Sequence, residues 1–283
     1  MGTNTARSSS PGDAAFEHTS SIAEPPPNHK EQKQSRNAFA ELMAPKPKPC
    51  VEPISSPHKL SNIFNSRDGL GGYIDNPSAF PPSVVLYYND DFVAIHDRYP
   101  KSSLHLLLLP RDPAKQRLHP FDAFEDLEFL QKVQKETKKL KRLATAELRR
   151  MYSTTSAKEI ARQHAMEVDP PPDELPAGRD WEKEIMCGIH AHPSMNHLHI
   201  HVLAVDRFSP CLRHRRHYNS FSTPFFIDVE DFPLAKEDVR RHPGREGYLR
   251  RDLKCWRCGE TFGNKFQQLK AHLEEEFLAW RAL

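Results

Sequence analysis

Apolar and polar positions divide the chain into a featureless beginning and a patterned remainder. Residues 1–60 are polar and rich in proline, with little to bury, which predicts a disordered tail. Ordered structure is expected from about Phe64. Beyond it, β-branched and aromatic residues around a turn at 89–91 predict an antiparallel meander that includes strands Phe92–Ile95 and Leu104–Leu109.

The remaining pattern predicts one long helix, two further strands and a small module. Apolar residues recur at helical spacing from Phe121 to about Met151, with acids in the first turns and bases in the last. The stretch 153–180 is expected to be an inserted, mobile loop. A strand over Trp181–Ala191 precedes a histidine-rich strand, and a linker at Pro233–Pro243 leads to a compact tail, Leu253–Leu283. The fold class is therefore α+β, an antiparallel sheet covered by one long helix.

Composition and charge narrow the function only slightly. The 283 residues carry a net charge of +2, so no global positive field indicates nucleic acid. Residues 207–220 and 239–254 are strongly basic, which a solvated surface would also explain. No signal peptide or membrane-length apolar run is present, which indicates a reducing intracellular compartment. There, a close CxxC pair among the five cysteines is typical of metal binding or redox chemistry.

The stretch "NHLHIHVLAVD" places a histidine at every second position of an apolar strand. In an extended strand these imidazoles share one face, and the apolar residues face a core. The two sets are His197, His199 and His201 on one face and Leu198, Ile200 and Val202 on the other. A zinc site, a phosphate-handling catalytic site and a chance cluster compete as explanations. Unpaired imidazoles beside a core are costly, so nucleophilic chemistry on phosphorus is favoured.

This histidine pattern is the signature of the histidine-triad (HIT) superfamily of nucleotide hydrolases and transferases. The surrounding "HAHPSMNHLHIHVLAVDRFSPCLRHRRHYNSF" and the upstream "IHDRYPKSSLHLLLLPR" resemble the aprataxin branch of that superfamily. The resemblance covers about 64–283 except the insert, and is closest to fungal forms that lack a forkhead-associated domain. It implies a HIT catalytic domain at 61–232, followed by a basic linker and zinc-finger module at 233–283.

The resemblance also implies roles for individual residues. His199 would be the nucleophile that takes AMP covalently. His201 and His197 would bind phosphate oxygens and hold the reactive tautomer, and His190 would be the general acid, with His192 second. The binding residues implied are Asp97 for the ribose hydroxyls, Lys101 and His105 for the nucleotide and phosphate, and Arg213, Arg216 and His217 for a terminal 5′-phosphate. Without the resemblance, Asp97 and Lys101 would fit an ordinary polar turn. Ala204 departs from the Ser that relatives often carry.

The tail contains a zinc-finger pattern of unusual composition. Cys255-x2-Cys258 is followed, after thirteen residues, by His272-x3-Glu276. Two thiolates on a turn and two ligands one helical turn apart give a four-coordinate zinc site in a small ββα-like module, with a helix expected over Gln267–Trp280. A three-ligand site closed by water, with Glu276 solvated, is the alternative. The resemblance favours Glu276.

The function that the resemblance implies is removal of AMP from the 5′ end of DNA at abortive ligation sites, in single-strand break repair. DNA is then the partner, AMP the product and zinc a structural cofactor. No catalytic metal and no membrane are expected, and the location would be nuclear. A short helix at Asn37–Met43 in the tail could bind a repair protein. A small-molecule HIT hydrolase and a non-catalytic zinc-finger DNA-binding protein are the alternatives.

Overall fold

The structure is a computed structural model that describes residues 67–283. The expected disordered tail at 1–60, the start of order near Phe64 and the proposed partner-binding helix at Asn37–Met43 lie outside the described residues. Within 67–283, no helix is long and apolar enough to cross a membrane.

A six-stranded sheet forms the centre of the fold. Its strands are β1 Val85–Tyr88, β2 Phe92–His96, β3 His105–Pro110, β4 Ile185–His190, β5 Ile200–Ala204 and β6 Phe226–Asp228. They lie in the order β1-β2-β3-β5-β4-β6, and every neighbouring pair is antiparallel. The predicted antiparallel sheet is confirmed. The strand expected over Trp181–Ala191 begins only at Ile185, because 181–184 form a turn.

Seven α-helices and a second, two-stranded sheet complete the described part of the chain. The helices are α1 Gly71–Asp75, α2 Pro120–Ala123, α3 Leu127–Tyr152, α4 Ala157–Glu167, α5 Arg215–Ser222, α6 Pro243–Glu246 and α7 Phe266–Arg281. The small sheet pairs β7 Leu253–Lys254 with β8 Thr261–Gly263. Short 3-10 helices lie at Pro77–Ala79, Val229–Asp231, Val239–Arg241 and Tyr248–Arg250.

The two faces of the large sheet have different neighbours. On the back face, strand residues such as Leu108, Ile200 and Val202 pack with α3 in the main core, as the alternation predicts. On the front face, Ile95 and Leu107 pack against α1 in a second apolar cluster. His201 is paired with Leu107 in the β3–β5 register, so it also lies on the front face. The covering helix therefore leaves the histidine face free for a site.

The helix expected from Phe121 to Met151 is in fact two helices. Helix α2 ends at Ala123, and α3 begins at Leu127. The Asp126 side chain accepts hydrogen bonds from the amides of Glu128 and Phe129, which is the arrangement of a helix N-cap. The capping geometry fixes a new helix start inside an otherwise continuous helical pattern.

The segment 153–180 was expected to be a mobile loop, and this expectation is wrong for its first half. Helix α4 occupies Ala157–Glu167, and Glu159 on it is buried. One Glu159 oxygen accepts from the Arg179 amide and the Trp181 indole, and the other pairs with Arg149. Hydrogen bonds to distant elements, which a composition rich in proline does not reveal, order the insert.

The C-terminal module is the predicted ββα-like finger, but it is not separate from the sheet domain. The first half of α7 contributes Leu269 and Leu273 to the finger core. The second half contributes Phe277 and Trp280 to the main core of the sheet domain. One helix thus belongs to two cores, so the finger packs directly on the sheet domain.

A fold prediction concerns Gly188, which lies in β4 between β5 and β6. A Cβ atom added there would lie 2.4 Å from the Ile227 carbonyl oxygen and 2.6 Å from the Phe226 ring. We expect Gly188→Ala to lower the free energy of unfolding by about 1–3 kcal/mol, because backbone must move to admit the methyl group. Urea unfolding followed by circular dichroism measures the change.

The matched control is Gly244→Ala, where an added Cβ meets no atom within 4 Å. This variant should stay within about 1 kcal/mol of the wild type. Equal stability of the two variants would contradict the tight β4–β6 approach.

Candidate active site and zinc centre

A cavity of about 770 Å³ opens on the front face of the sheet. Its polar wall contains Asp97, Lys101, His105, His190, His192, His199, His201, Arg216 and His217. Its apolar wall comes from Leu70, Tyr73, Ile95, Leu107 and Met195. The cavity therefore suits a ligand with a flat, weakly polar group at one end and negative charge at the other.

The central histidine is held in one tautomer by the main chain. His199 Nδ1 lies 2.7 Å from the carbonyl oxygen of His197, and the ring is only 4% exposed. A carbonyl oxygen can only accept, so Nδ1 carries the hydrogen and Nε2 keeps its lone pair. Burial lowers the pKa of His199, although the hydrogen bond to His197 opposes the shift. The result is a neutral imidazole with a nucleophilic nitrogen on the cavity wall.

A second hydrogen-bonded chain orients His201. The Lys101 amide donates to His105 Nδ1 over 3.1 Å, and His105 Nε2 lies 2.9 Å from His201 Nδ1. Because the amide always carries its hydrogen, the proton of His105 must be on Nε2, and His201 must accept it at Nδ1. His201 then carries its own hydrogen on Nε2, a buried atom without a protein partner. This N–H is a free donor for an anionic ligand.

His190 lies close to His201, with ring centroids 4.5 Å apart. Its Nε2 is buried and has no hydrogen-bond partner, while the ring also hydrogen-bonds to the backbone of Ser220. Burial and the neighbouring imidazoles hold the pKa of His190 well below its usual value, so the ring is neutral in the free protein. Exposed His192 also lines the cavity, but β4 ends at His190, so the two do not share a strand.

Strand β5 begins at Ile200, so both His199 and His197 precede it. His197 lies on the side of the sheet that α1 covers, which is the front face that the alternating pattern predicts. Its ring is buried against Gly71 of α1 and is absent from the cavity wall. The backbone carbonyl of this residue, and not its imidazole, fixes the tautomer of His199.

Asp97 and Lys101 lie on the loop between β2 and β3, at the rim of the cavity. One Asp97 oxygen accepts from the Tyr99 amide over 2.7 Å, and the other lies 3.3 Å from His105 Nδ1. Since that nitrogen accepts from Lys101, the second oxygen is available to a ligand hydroxyl. The Lys101 ammonium donates to the Tyr99 carbonyl, and burial lowers its pKa.

The basic residues after the triad divide into two groups. Arg216 and His217 line the cavity, whereas the exposed side chain of Arg213 does not. Burial beside His214 lowers the pKa of His217 to about 4. Arg240, in the basic stretch 239–254, forms ion pairs with Asp231 and Asp238.

The predicted zinc ligands come together in the finger. The ligating atoms of Cys255, Cys258, His272 and Glu276 all lie within 4.8 Å of one another. Two thiols, one imidazole and one carboxylate form a donor set that tetrahedral Zn²⁺ accepts. The second Glu276 oxygen pairs with Arg257 over 2.5 Å, which orients the carboxylate toward the other ligands. The donor set fits zinc, with Glu276 as the fourth ligand.

Comparison with known proteins gives the same two modules. The HIT domain family matches residues 80–208, and the C2HE / C2H2 / C2HC zinc-binding finger family matches residues 222–279. An aprataxin-like protein from Schizosaccharomyces pombe is 35% identical over 247 residues, 87% of this chain and 95% of the relative. The chain belongs to the aprataxin family. An aprataxin-like protein from Saccharomyces cerevisiae is 33% identical over 75% of this chain and 95% of its own length.

Solved structures of aprataxin relatives share the fold. The aprataxin ortholog Hnt3 in complex with DNA is 34% identical and has a TM-score of 0.58, covering 76% of this chain and 96% of its own. A structure of Hnt3 with DNA and guanosine is 36% identical, with a TM-score of 0.59 and the same coverage. The match to the zinc-binding finger family and the cluster of four ligating residues make zinc a structural component of this chain.

The sequence did not reveal several residues of this aprataxin-family site. Tyr73 of α1, Met195, Phe221 of α5 and Leu249 all line the cavity. They come from segments far apart in the chain, and each looks like an ordinary apolar residue. Only the antiparallel strand order and the packing of α1 and α5 bring them to one cavity.

We expect acid to destabilise the protein through its buried imidazoles. Burial lowers the pKa of His105 to about 4, whereas an unfolded histidine titrates near 6.5. Between these values the unfolded state binds more protons, so the free energy of unfolding falls as the pH falls. Replacing His105 by Asn should remove up to about 1.4 kcal/mol per pH unit from that slope. Urea unfolding at several pH values measures it.

The control for acid sensitivity is His164→Asn, at an exposed position of α4. This variant should keep the wild-type slope. A slope in His105→Asn equal to that of the wild type would show that His105 is not buried in its neutral form.

The zinc centre predicts unequal effects at adjacent carboxylates. Glu276→Gln should weaken zinc binding by about tenfold or more, because a charged ligand is lost. Exposed Glu275→Gln should leave the affinity unchanged, since Glu275 lies outside the ligand cluster. Competition with a chromophoric chelator measures both affinities. Equal affinities would mean that water, and not Glu276, completes the site.

Proposed function

We propose that this protein is a DNA 5′-adenylate hydrolase, which removes AMP from abortive ligation intermediates through a covalent histidine–AMP adduct. The observation that carries the proposal is the buried His199, whose Nδ1 is bonded to the His197 carbonyl and whose Nε2 lone pair is therefore available. Membership of the aprataxin family supports the same reaction.

In the first step, His199 Nε2 attacks the phosphorus of AMP. A P–N bond forms, the P–O bond of the 5′-5′ pyrophosphate breaks, and DNA leaves with a 5′-phosphate. His190 donates the proton to the leaving phosphate oxygen. Although His190 is neutral in the free protein, a bound pyrophosphate brings negative charge beside it and raises its pKa. Substrate binding therefore favours the protonated form of His190, which can act as the general acid.

His201 stabilises the charge that develops on the phosphoryl oxygens. Its Nε2–H is fixed by the chain through His105 to the Lys101 amide, so no reorganisation is needed during attack. Asp97 accepts from the ribose hydroxyls with its second oxygen, which places the phosphorus in reach of His199. Water then attacks the adduct, the P–N bond breaks, AMP leaves, and His199 is restored.

Basic groups connect the cavity with the finger and support DNA as the polymer partner. Arg216 and His217 lie at the cavity, and Arg213 lies nearby on the surface. Lys254 and Arg257 line a second groove, of about 700 Å³, beside the zinc ligands. Lys and Arg in such a row bind phosphates without reading sequence. We propose a nuclear location from the substrate alone, and a repair-protein partner for the tail.

The alternative functions are less well supported. A small-molecule HIT hydrolase has no use for a finger that shares a helix with the catalytic core. A non-catalytic DNA-binding protein has no use for a buried histidine held in its nucleophilic tautomer. AMP release from adenylated nicked DNA separates the proposed function from both alternatives.

We expect His199→Asn to lower the rate of AMP release from adenylated nicked DNA by at least about 10³-fold, because covalent catalysis is lost. The wild type, quenched in acid-free denaturant during turnover, should carry one added AMP by intact-protein mass spectrometry. The matched control, His192→Asn, changes an exposed imidazole of the same cavity and should keep activity within about tenfold. Equal rates for wild type and His199→Asn would refute the nucleophile.

A further inference from the structure

A buried hydrogen-bond network joins the insert to the finger helix. Arg179, at the end of the insert, is almost fully buried, and its guanidinium lies between two indole rings. The distances from the guanidinium carbon to the Trp181 and Trp280 ring centroids are 4.4 and 4.7 Å. Burying a charged guanidinium between the two modules costs desolvation free energy, which its hydrogen bonds and ion pair must offset.

Arg179 and Glu184 of the sheet domain are both hydrogen-bonded to Trp280 of the finger helix. Arg179 donates to Glu184 through Nε and Nη2, and through Nη1 to the Trp280 carbonyl over 2.8 Å. The Trp280 indole donates to the other Glu184 oxygen over 2.7 Å. Glu159 of α4 accepts from the Arg179 amide. We call Glu159, Arg179, Glu184 and Trp280 the clamp.

The insert also contacts the last residues of the finger helix directly. The amides of Ala157 and Lys158, at the start of α4, donate to the carbonyl oxygens of Ala282 and Leu283 over 3.0 and 3.2 Å. The unpaired carbonyls at the end of α7 thus meet the unpaired amides at the start of α4. This end-to-end arrangement fixes the direction of α7 in addition to its position.

Helix α7 carries the zinc ligands His272 and Glu276 in its middle turns and the clamp residue Trp280 near its end. A rotation of α7 on the sheet domain would therefore move the zinc module and its basic groove relative to the cavity. No clamp residue lines the cavity. The network has no direct access to the reacting atoms.

We propose that the clamp is a positioning device, which holds the finger at a fixed orientation so that one polynucleotide contacts the finger and the catalytic cavity together. Two binding sites held at a matched spacing act on a linked ligand as one site of higher affinity. The clamp thus sets the affinity for DNA substrates and leaves the chemical step unchanged. The proposal rests on the proposed DNA 5′-adenylate hydrolase function.

Steady-state kinetics on two substrates tests the clamp. One substrate is an adenylated nicked duplex, and the other is the p-nitrophenyl ester of AMP, which occupies only the cavity. For Arg179→Ala we expect KM for the duplex to rise at least about tenfold, with kcat for the duplex and kcat/KM for the ester within about twofold of the wild type. Zinc content should be unchanged. Trp280→Phe, which loses only the indole N–H and a little volume, should give a smaller shift in the same direction.

The control variant is Arg162→Ala, which removes an arginine of the same insert that hydrogen-bonds within the insert, to the Pro176 carbonyl. It should leave both substrates unaffected. Arg179→Lys should keep more of the affinity for the duplex than Arg179→Ala, because lysine retains the positive charge but lacks the planar guanidinium. Proportional losses on both substrates, or no loss on either, would overturn the proposal.

Hydrogen exchange makes failure of the clamp distinguishable from failure of the proposed function. In Arg179→Ala, the amides of Ala157 and Lys158 should exchange at least about tenfold faster than in the wild type, while those of β5 stay protected. This readout needs no DNA and no turnover. Unchanged exchange at Ala157 and Lys158 would refute the clamp even if the wild type removes AMP from DNA. Faster exchange in a protein that releases no AMP would refute the function alone.

Discussion

The hydrogen bond from His199 Nδ1 to the carbonyl oxygen of His197 is the constraint on which the chemistry of this protein depends. A neutral imidazole has two nitrogens but only one N–H hydrogen. A fixed acceptor beside one nitrogen therefore keeps the hydrogen there and leaves the other nitrogen free to attack. Burial favours the unprotonated ring, and the irregular segment before Ile200 brings the carbonyl to the ring.

Helices cover both faces of the sheet around this hydrogen bond. Helix α3 covers the back of the sheet and leaves the front face to α1 and α5, whose apolar residues exclude water around the imidazoles. Helix α7 then ties the zinc module to the same core, because Phe277 and Trp280 pack on the sheet domain. Zinc therefore has a structural role: it binds the middle of a helix whose last turns pack on the sheet domain.

Local periodicity predicted much of this structure, and long-range contacts decided the rest. Alternation located the strands and the core face at Leu198, Ile200 and Val202, and ligand spacing located the zinc cluster. The helix start at Asp126 and the insert helix at Ala157–Glu167 were missed, because side-chain hydrogen bonds set the first and partners distant in sequence set the second. The contribution of His197 was only partly predicted, because its ring packs against Gly71 of α1 and its carbonyl oxygen is the group that contacts His199. The apolar wall of the cavity could not be predicted, since Tyr73 and Phe221 meet only in the folded chain.

The most direct test of the account is the protonation state of the triad, measured by long-range ¹H–¹⁵N correlation NMR of histidine side chains in the ligand-free protein at neutral pH. We expect His199 to carry its hydrogen on Nδ1, and His105 and His201 to carry theirs on Nε2, with all three rings neutral. A hydrogen on Nε2 of His199, or a doubly protonated ring at that position, would contradict the account, since no lone pair would then be available to attack phosphorus.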